Sequence, residues 1–306
     1  MPNTTGVTPG LLLKGLNEVF YQNYLTSPAG MITSDEIFKF TTIDRGMTET
    51  DLALAGVGEF TTFGEQQNIP KQEVKERGTT VYQMDLFANG FDVSYKMLLA
   101  DEAGRNTIDM AAELGRAART TQEKNRLAVL RLAATTTGID GKALCATDHP
   151  LANGGTYGNL VATAFSYKTV KDMLQVLRQQ QNYQGLAMPE DGAILVTGTA
   201  LYDEAIEITK AEGIPGSANN DASFLSRAFP GLRVGYNPYL DATYGGSDTK
   251  FYILAPSRKL KVFIREGINT WMNDWNENAN IVTKYNAKYA ETAGFSDYYG
   301  VVQGGV

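Results

Sequence analysis

The chain has 306 residues, 43% apolar and 20% charged, enough for two modest domains around real cores. Against 34 acidic residues there are 27 basic ones, and the net charge of −7 argues against a general nucleic-acid-binding surface. Cys145 is the one cysteine, which rules out an intrachain disulfide and fits a reducing compartment; no secretion signal opens the sequence, and no window approaches the roughly 18 apolar residues of a membrane span.

Residues 1–10 are polar and punctuated by proline and glycine, and are expected to follow a surface. Leu11 to Leu25 predicts a helix with Leu12, Leu16, Val19, Phe20 and Asn23 on one face, stopped by Ser27-Pro28-Ala29-Gly30. Residues 37–43 alternate loosely, as a strand does. Gly56 to Val81 holds four glycines, one proline and almost no large aliphatic residue, so it can bury little apolar surface on its own chain. Phe60, Phe63, Val74 and Val81 sit where hairpin arms could use them, which favours an extended hairpin ordered by a partner over a floppy linker. Tyr82 to Leu99 then reads as two strands turned at Asn89-Gly90.

The stretch from Asn106 to Ala134 organises the chain. Asn106 is a good N-cap, with Asp109 three residues on. Ile108, Ala111, Ala112, Gly115 and Ala118 recur at helical spacing, and Leu127, Leu130 and Ala134 continue a face. Asp109 and Glu113 lie early and Arg116, Arg119, Lys124, Arg126 and Arg131 late, a polarity that suits the helix dipole. Such a helix is about 40 Å long, and its face of small residues calls for a sheet lying close against it. Thr120 and Thr121 predict a bend. With Glu123 interleaved, the arginines read as a salt-bridged or solvated face rather than a phosphate stripe.

After a break at Thr135 to Gly138, a loop carries Cys145 to Pro150 and a Gly/Asn stretch from Asn153 to Asn159. Ser166 caps a helix reaching Tyr183, with Val170, Met173, Leu174 and Leu177 inward and Gly185 and Pro189 at its end. Ala193 to Val196 is a buried strand, Thr199 to Lys210 a helix, and 212–222 a mobile or partner-dependent loop. Strands follow at Leu232–Tyr236, Phe251–Leu254 and Leu260–Arg265, with a last strand pair over Asn280–Tyr289.

Catalytic signatures are scarce. His149, the single histidine, stands four residues after Cys145 with Asp148 beside it, which raises a zinc site or a Cys/His dyad. The further zinc ligands are missing, and a dyad needs His149 to reach the thiol with a third group to orient it. A hydrogen-bonded turn over Thr147-Asp148-His149-Pro150, its imidazole satisfying backbone groups, accounts better for the residues. There is no phosphate-binding Gly-Lys-Ser/Thr loop, no G-x-S-x-G elbow and no paired carboxylates, so neither enzyme nor cofactor is indicated.

Ala146-Thr147-Asp148-His149-Pro150, followed by Gly154-Gly155 and Asn159, is the first of three short runs. The others are Ala200-Leu201-Tyr202-Asp203-Glu204-Ala205 and Asn237-Pro238-Tyr239-Leu240 ahead of the strand at Phe251. Their order, over nearly the whole chain, resembles the major capsid protein of tailed bacteriophages, with the α+β Hong Kong 97-type fold, and is most similar to the Mu-like major head subunit branch. The resemblance implies an N-arm over 1–52 and an extended E-loop over 53–88. It implies a peripheral domain of 89–138 and 259–290 with the long helix as its spine. An α/β axial domain of 139–258 and 291–306 would place loop 212–222 near hexamer and pentamer axes.

The function implied is a shell protein that assembles with itself into hexamers and pentamers of an icosahedral head. That head encloses double-stranded DNA without sequence-specific binding, in a virion assembled in the bacterial cytoplasm without a membrane. An acidic chain suits this, because a strongly basic lumen would hold the genome and resist packaging. No N-terminal scaffolding segment is visible, which implies a separate scaffold protein or its prior removal, beside a portal and a decoration protein. The assembly contacts implied are Phe60, Phe63, Lys71 and Lys75 in the E-loop and Arg116, Arg119 and Arg126 on the spine, with Lys71 or Lys75 available to a crosslink. Two rivals are an encapsulin-like cargo compartment on the same fold and an α/β enzyme using Cys145 or His149.

Overall fold

The computed structural model describes residues 9–60, 62, 64, 68–69, 71, 76–94, 96, 105–214, 222–273 and 282–305. Phe63, Val74 and Lys75 lie outside the described residues, as do 1–8 and most of the 212–222 loop.

Helix α1 (Pro9–Leu25) buries Leu16 and Phe20, as its spacing predicts. The single turn α2 (Ser34–Ile37) takes the first residue of the expected strand, so β1 is only Lys39–Thr42. Strands β2 (Thr48–Leu54) and β3 (Glu76–Gln83) pair antiparallel. The hairpin arms therefore begin earlier than the sequence suggests. Val81 lies in an arm but is 63% exposed, and Phe60 lies in no strand and is fully exposed.

Strand β4 (Asp85–Ser94) runs straight through Asn89-Gly90, where a turn was expected. Gly90 faces Asn286 of a neighbouring strand, and a Cβ there would press on the Asn286 side chain and lie 2.7 Å from the Tyr285 carbonyl oxygen. This glycine serves close backbone approach rather than a reversal.

Helix α3 (Arg105–Arg131) is the organising element, 27 residues long and continuous through Thr120 and Thr121. Thr121 Oγ1 donates to the Ala117 carbonyl at 2.8 Å, so its hydroxyl is satisfied within the helix. Asn106 falls inside the first turn, not at the cap. The small-residue face meets a helix as well as a sheet. Ala111 and Leu114 join Leu16 and Phe20 of α1 and Tyr285 and Ala287 of the sheet in one buried cluster.

Short strands β5 (His149–Pro150), β6 (Thr156–Tyr157) and β7 (Leu160–Val161) follow. Helix α4 (Tyr167–Arg178) has Ser166 at its N-cap, accepting the Thr169 N–H, and buries the four expected apolar residues. It ends well before Tyr183, with Gln179 as its C-cap, and Gly185 instead serves a tight turn at φ +84°. Strand β8 (Ile194–Thr197), helices α5 (Tyr202–Lys210) and α6 (Phe224–Ala228), and strands β9 (Arg233–Tyr236) and β10 (Phe251–Leu254) complete the middle of the chain. Two long strands, β11 (Leu260–Asn273) and β12 (Val282–Phe295), and a short β13 (Val301–Gly304) end it. The expected last strand pair is one strand, β12. Its alternation buries Thr283, Tyr285, Ala287 and Tyr289, while Asn280 and Ile281 lie outside the described residues.

One sheet has the order β1-β11-β12-β4, with β1 parallel to β11 and the other pairs antiparallel. A second has the order β7-β13-β10-β8-β9, in which β10 is antiparallel to both neighbours. Leu127 and Leu130 of α3 sit where the sheets meet, in a core with Ile37, Val196, Tyr252 and Val262. Helices α4, α5 and α6 cover the other face of the second sheet.

Candidate assembly surfaces and the charges beneath them

Two of the three singled-out arginines turn inward. Glu123, 1% exposed on α3, accepts the Ser34 N–H through both carboxylate oxygens at 3.1 and 3.0 Å, and the Ser34 hydroxyl at 2.8 Å. Arg119 Nη2 reaches Glu123 at 3.0 Å and Asp35 at 2.6 Å. Arg126 grips Glu291 of β12 with Nε at 3.0 Å and Nη2 at 2.7 Å, and Asp35 with Nη1 at 3.0 Å. Burial pushes both guanidinium groups down, but the carboxylates more than reverse it and hold both above their ordinary value. The network ties α2 to α3 and α3 to the first sheet. Arg116 stays at the surface, with Glu113 and Asn23 as partners.

A second network fastens the hairpin. Arg77 of β3 pairs with Asp297 at 2.6 Å, 3.9 Å from Asp140, and Asp140 Oδ2 lies 2.6 Å from His149 Nδ1. On β2, Asp51 accepts from Lys261 of β11 and from the Ser296 hydroxyl. Burial works to raise Asp51, but those two bonds outweigh it and hold the carboxyl below its ordinary value. Beyond this base the chain presents Leu54, Val57, Phe60 and Ile69, all more than half exposed, and the exposed Lys71. A groove of about 370 Å³ opens between β3 and the end of α3, lined among others by Val81, Val129, Leu132 and Phe295.

The imidazole of His149 does not serve backbone groups as expected; its nitrogens face the side chains of Asp140 and Asn159. With both nitrogens engaged, neither is left to take a proton from Cys145, so the dyad is not formed. Cys145 lies in the central core, where burial pushes its thiol far up, the inert form of the residue. Among the described residues no cluster of His, Cys, Asp and Glu could hold a metal, and no helix is long and apolar enough to cross a membrane. Sequence reading missed Arg77, Asp140, Asp297 and Glu291. Arg77 and Asp297 lie 220 residues apart and Arg126 and Glu291 165, and no local spacing reveals such pairs.

A family model for phage capsid proteins matches residues 76–304. The chain belongs to that family. This capsid protein is a structural component of a virion. Its fold is shared with the capsid of Cyanophage P-SCSP1u at 12% identity and a TM-score of 0.61, covering 92% of this chain and 90% of that one. Mycobacterium phage Adephagia gives 14% identity and 0.59, with 92% of each chain covered. A virus-like particle from Pyrococcus furiosus gives 12% and 0.52, covering 95% and 96%. No curated protein matches the sequence. The likeness to the virus-like particle is one of fold, whereas the family match is to phage capsid proteins. The cargo-compartment reading is therefore not favoured, and the Cys145/His149 enzyme loses its dyad.

Proposed function

We propose that this capsid protein is the major head subunit of a tailed phage, nearest the Mu-like branch, and that copies of it build hexamers and pentamers of an icosahedral shell around double-stranded DNA. One observation carries the reading: a hairpin fixed at its base by buried charges displays Leu54, Val57, Phe60 and Ile69 to solvent. A lone soluble chain gains nothing from such a display, and a second copy that covers it does. In this reading residues 1–52 are the N-arm and 53–88 the E-loop. Residues 89–138 and 259–290 form the peripheral domain on α3, and 139–258 with 291–306 the axial domain. Arms β2 and β3 support the E-loop assignment, although β2 starts within the N-arm range. Phe60, Phe63, Lys71, Lys75 and Arg116 are the contacts between copies, and a separate scaffold protein, a portal and a decoration protein are further partners. Arg119 and Arg126 act through the intrachain network.

Phe60→Asp tests the reading. The subunit is expected to keep its melting temperature and lose assembly, read by sedimentation velocity. Assembly at the wild-type level would remove the hairpin from the contact.

A further inference from the structure

His149 is the only histidine in the sequence and is completely buried. Asn159 fixes what the ring must be. The Asn159 amide nitrogen donates to the carbonyl oxygens of Leu144 and Val301, both at 2.9 Å, and Oδ1 accepts the Ala146 N–H at 2.9 Å. Turning the amide over would break all three bonds, so an acceptor oxygen is what faces His149 Nε2 at 3.0 Å. On the other side Nδ1 meets Asp140 Oδ2 at 2.6 Å, while Asp140 Oδ1 accepts the Lys142 N–H. Burial works to raise Asp140, but bonds to His149 and the Lys142 amide and the nearby cations outweigh it and hold the carboxyl below its ordinary value. An acceptor facing each ring nitrogen requires a proton on each.

The charges around the ring then balance. Arg77 pairs with Asp297 at 2.6 Å, and the side chains of Arg77, Asp140 and His149 are each 5% exposed or less. Two cations stand against two carboxylates. Tyr298 stacks on the imidazole with ring centroids 4.0 Å apart, and the Arg77 guanidinium lies 4.6 Å above the Tyr183 ring. Tyr157, across the β5–β6 pair, Tyr299, the surface pair Lys142–Asp148, Cys145 in the same loop, and Glu76 and Tyr82 on β3 are further titratable groups on the elements packed here. Arg77 Nη2, 3.9 Å from Asp140 Oδ2, has no hydrogen-bond partner.

We propose that His149 is a buried imidazolium and that, with Arg77, it balances Asp140 and Asp297 in a lock holding the base of the β2–β3 hairpin to the rest of the chain. Removing the second ring proton leaves two buried carboxylates to Arg77 alone. An uncompensated buried charge is strongly unfavourable, and the hairpin base loosens. The lock lies within one chain and stands whether or not the shell reading does.

The 15N spectrum of the full chain, labelled in histidine, reports this one residue. At neutral pH both ring nitrogens are expected to be protonated, and a neutral ring with one bare nitrogen overturns the proposal. Amide hydrogen exchange reads the lock in the same samples, with the β10 amides as the internal reference for the intrinsic effect of pH. As the second proton is lost on raising the pH, exchange over 76–83 is expected to rise roughly tenfold or more relative to β10. His149→Gln is expected to loosen the hairpin equally at neutral pH. Hairpin exchange indifferent to the wild-type titration overturns the lock even if the ring is charged, and this arm decides the matter where the Gln variant does not fold.

Discussion

Gly115 of α3 lies against the carbonyl oxygen of Phe20 in α1, so closely that a Cβ would stand 2.5 Å from it. The two helices meet backbone to backbone at this point, which explains the glycine in the middle of a long helix. Helix propensity favours alanine there by about 1 kcal/mol, while pressing a methyl into a backbone oxygen costs about 1–3 kcal/mol. Gly115→Ala is expected to lower the melting temperature of the unassembled subunit, a net loss of up to about 2 kcal/mol. Unchanged or higher stability would mean that α1 can move away from α3 freely.

The grip of Arg126 on Glu291 is buried on both sides, with each side chain 4% exposed. Arg126→Met alone strands the Glu291 carboxylate and is expected to cost about 3–5 kcal/mol in urea denaturation. Adding Glu291→Leu removes the stranded charge and is expected to recover most of that loss, because a packed apolar pair is often as stable as a buried ion pair. A double variant as unstable as the single one would place the cost in Asp35 and Ser34 instead.

Several elements were legible in the sequence because their signals are local, although β11 runs to Asn273 where the reading ended it at Arg265. The 27 residues of α3 carry a helical repeat, β12 alternates, and Ser166 caps α4 as its position suggests. Asn89-Gly90 was misread because a tight turn and a close strand approach ask for the same glycine. Asn286 decides between them, and it lies nearly two hundred residues away. His149 was read as a turn residue for the same reason: Asp140 and Asn159 are near in sequence, but Arg77 on β3 and Asp297 and Tyr298 in the loop after β12 are distant. The sequence placed arginines on one face of α3, yet only packing sends Arg119 and Arg126 inward and leaves Arg116 outside.

Acid should weaken the fold through Asp140. Its folded value lies below the ordinary 3.8, so its contribution is present above 3.8 and is lost as the pH falls through the folded value. Asp297 has the opposite sign. Burial raises it despite Arg77, so its share is present below 3.8 and fades as the pH rises through its folded value. Asp140→Asn is expected to be less stable than the wild type at neutral pH and to lose less on acidification below 3.8, by urea denaturation across pH. An acid limb of unchanged slope would assign the acid sensitivity to other carboxylates such as Asp51.

Arg116 separates folding from assembly. Its side chain is 57% exposed and paired with the exposed Glu113, so Arg116→Glu is expected to change subunit stability by no more than about 0.5–1 kcal/mol. A drop in shell yield with an unchanged melting curve supports a contact between copies. Arg119→Glu would set a carboxylate beside buried Glu123 and should damage folding itself.

The central claim is that copies of this chain form a shell, and electron microscopy of the purified protein, alone and with the proposed scaffold protein, tests it most directly. Closed shells, tubes or ring-shaped capsomers are expected. A protein that stays strictly monomeric under both conditions would contradict the account.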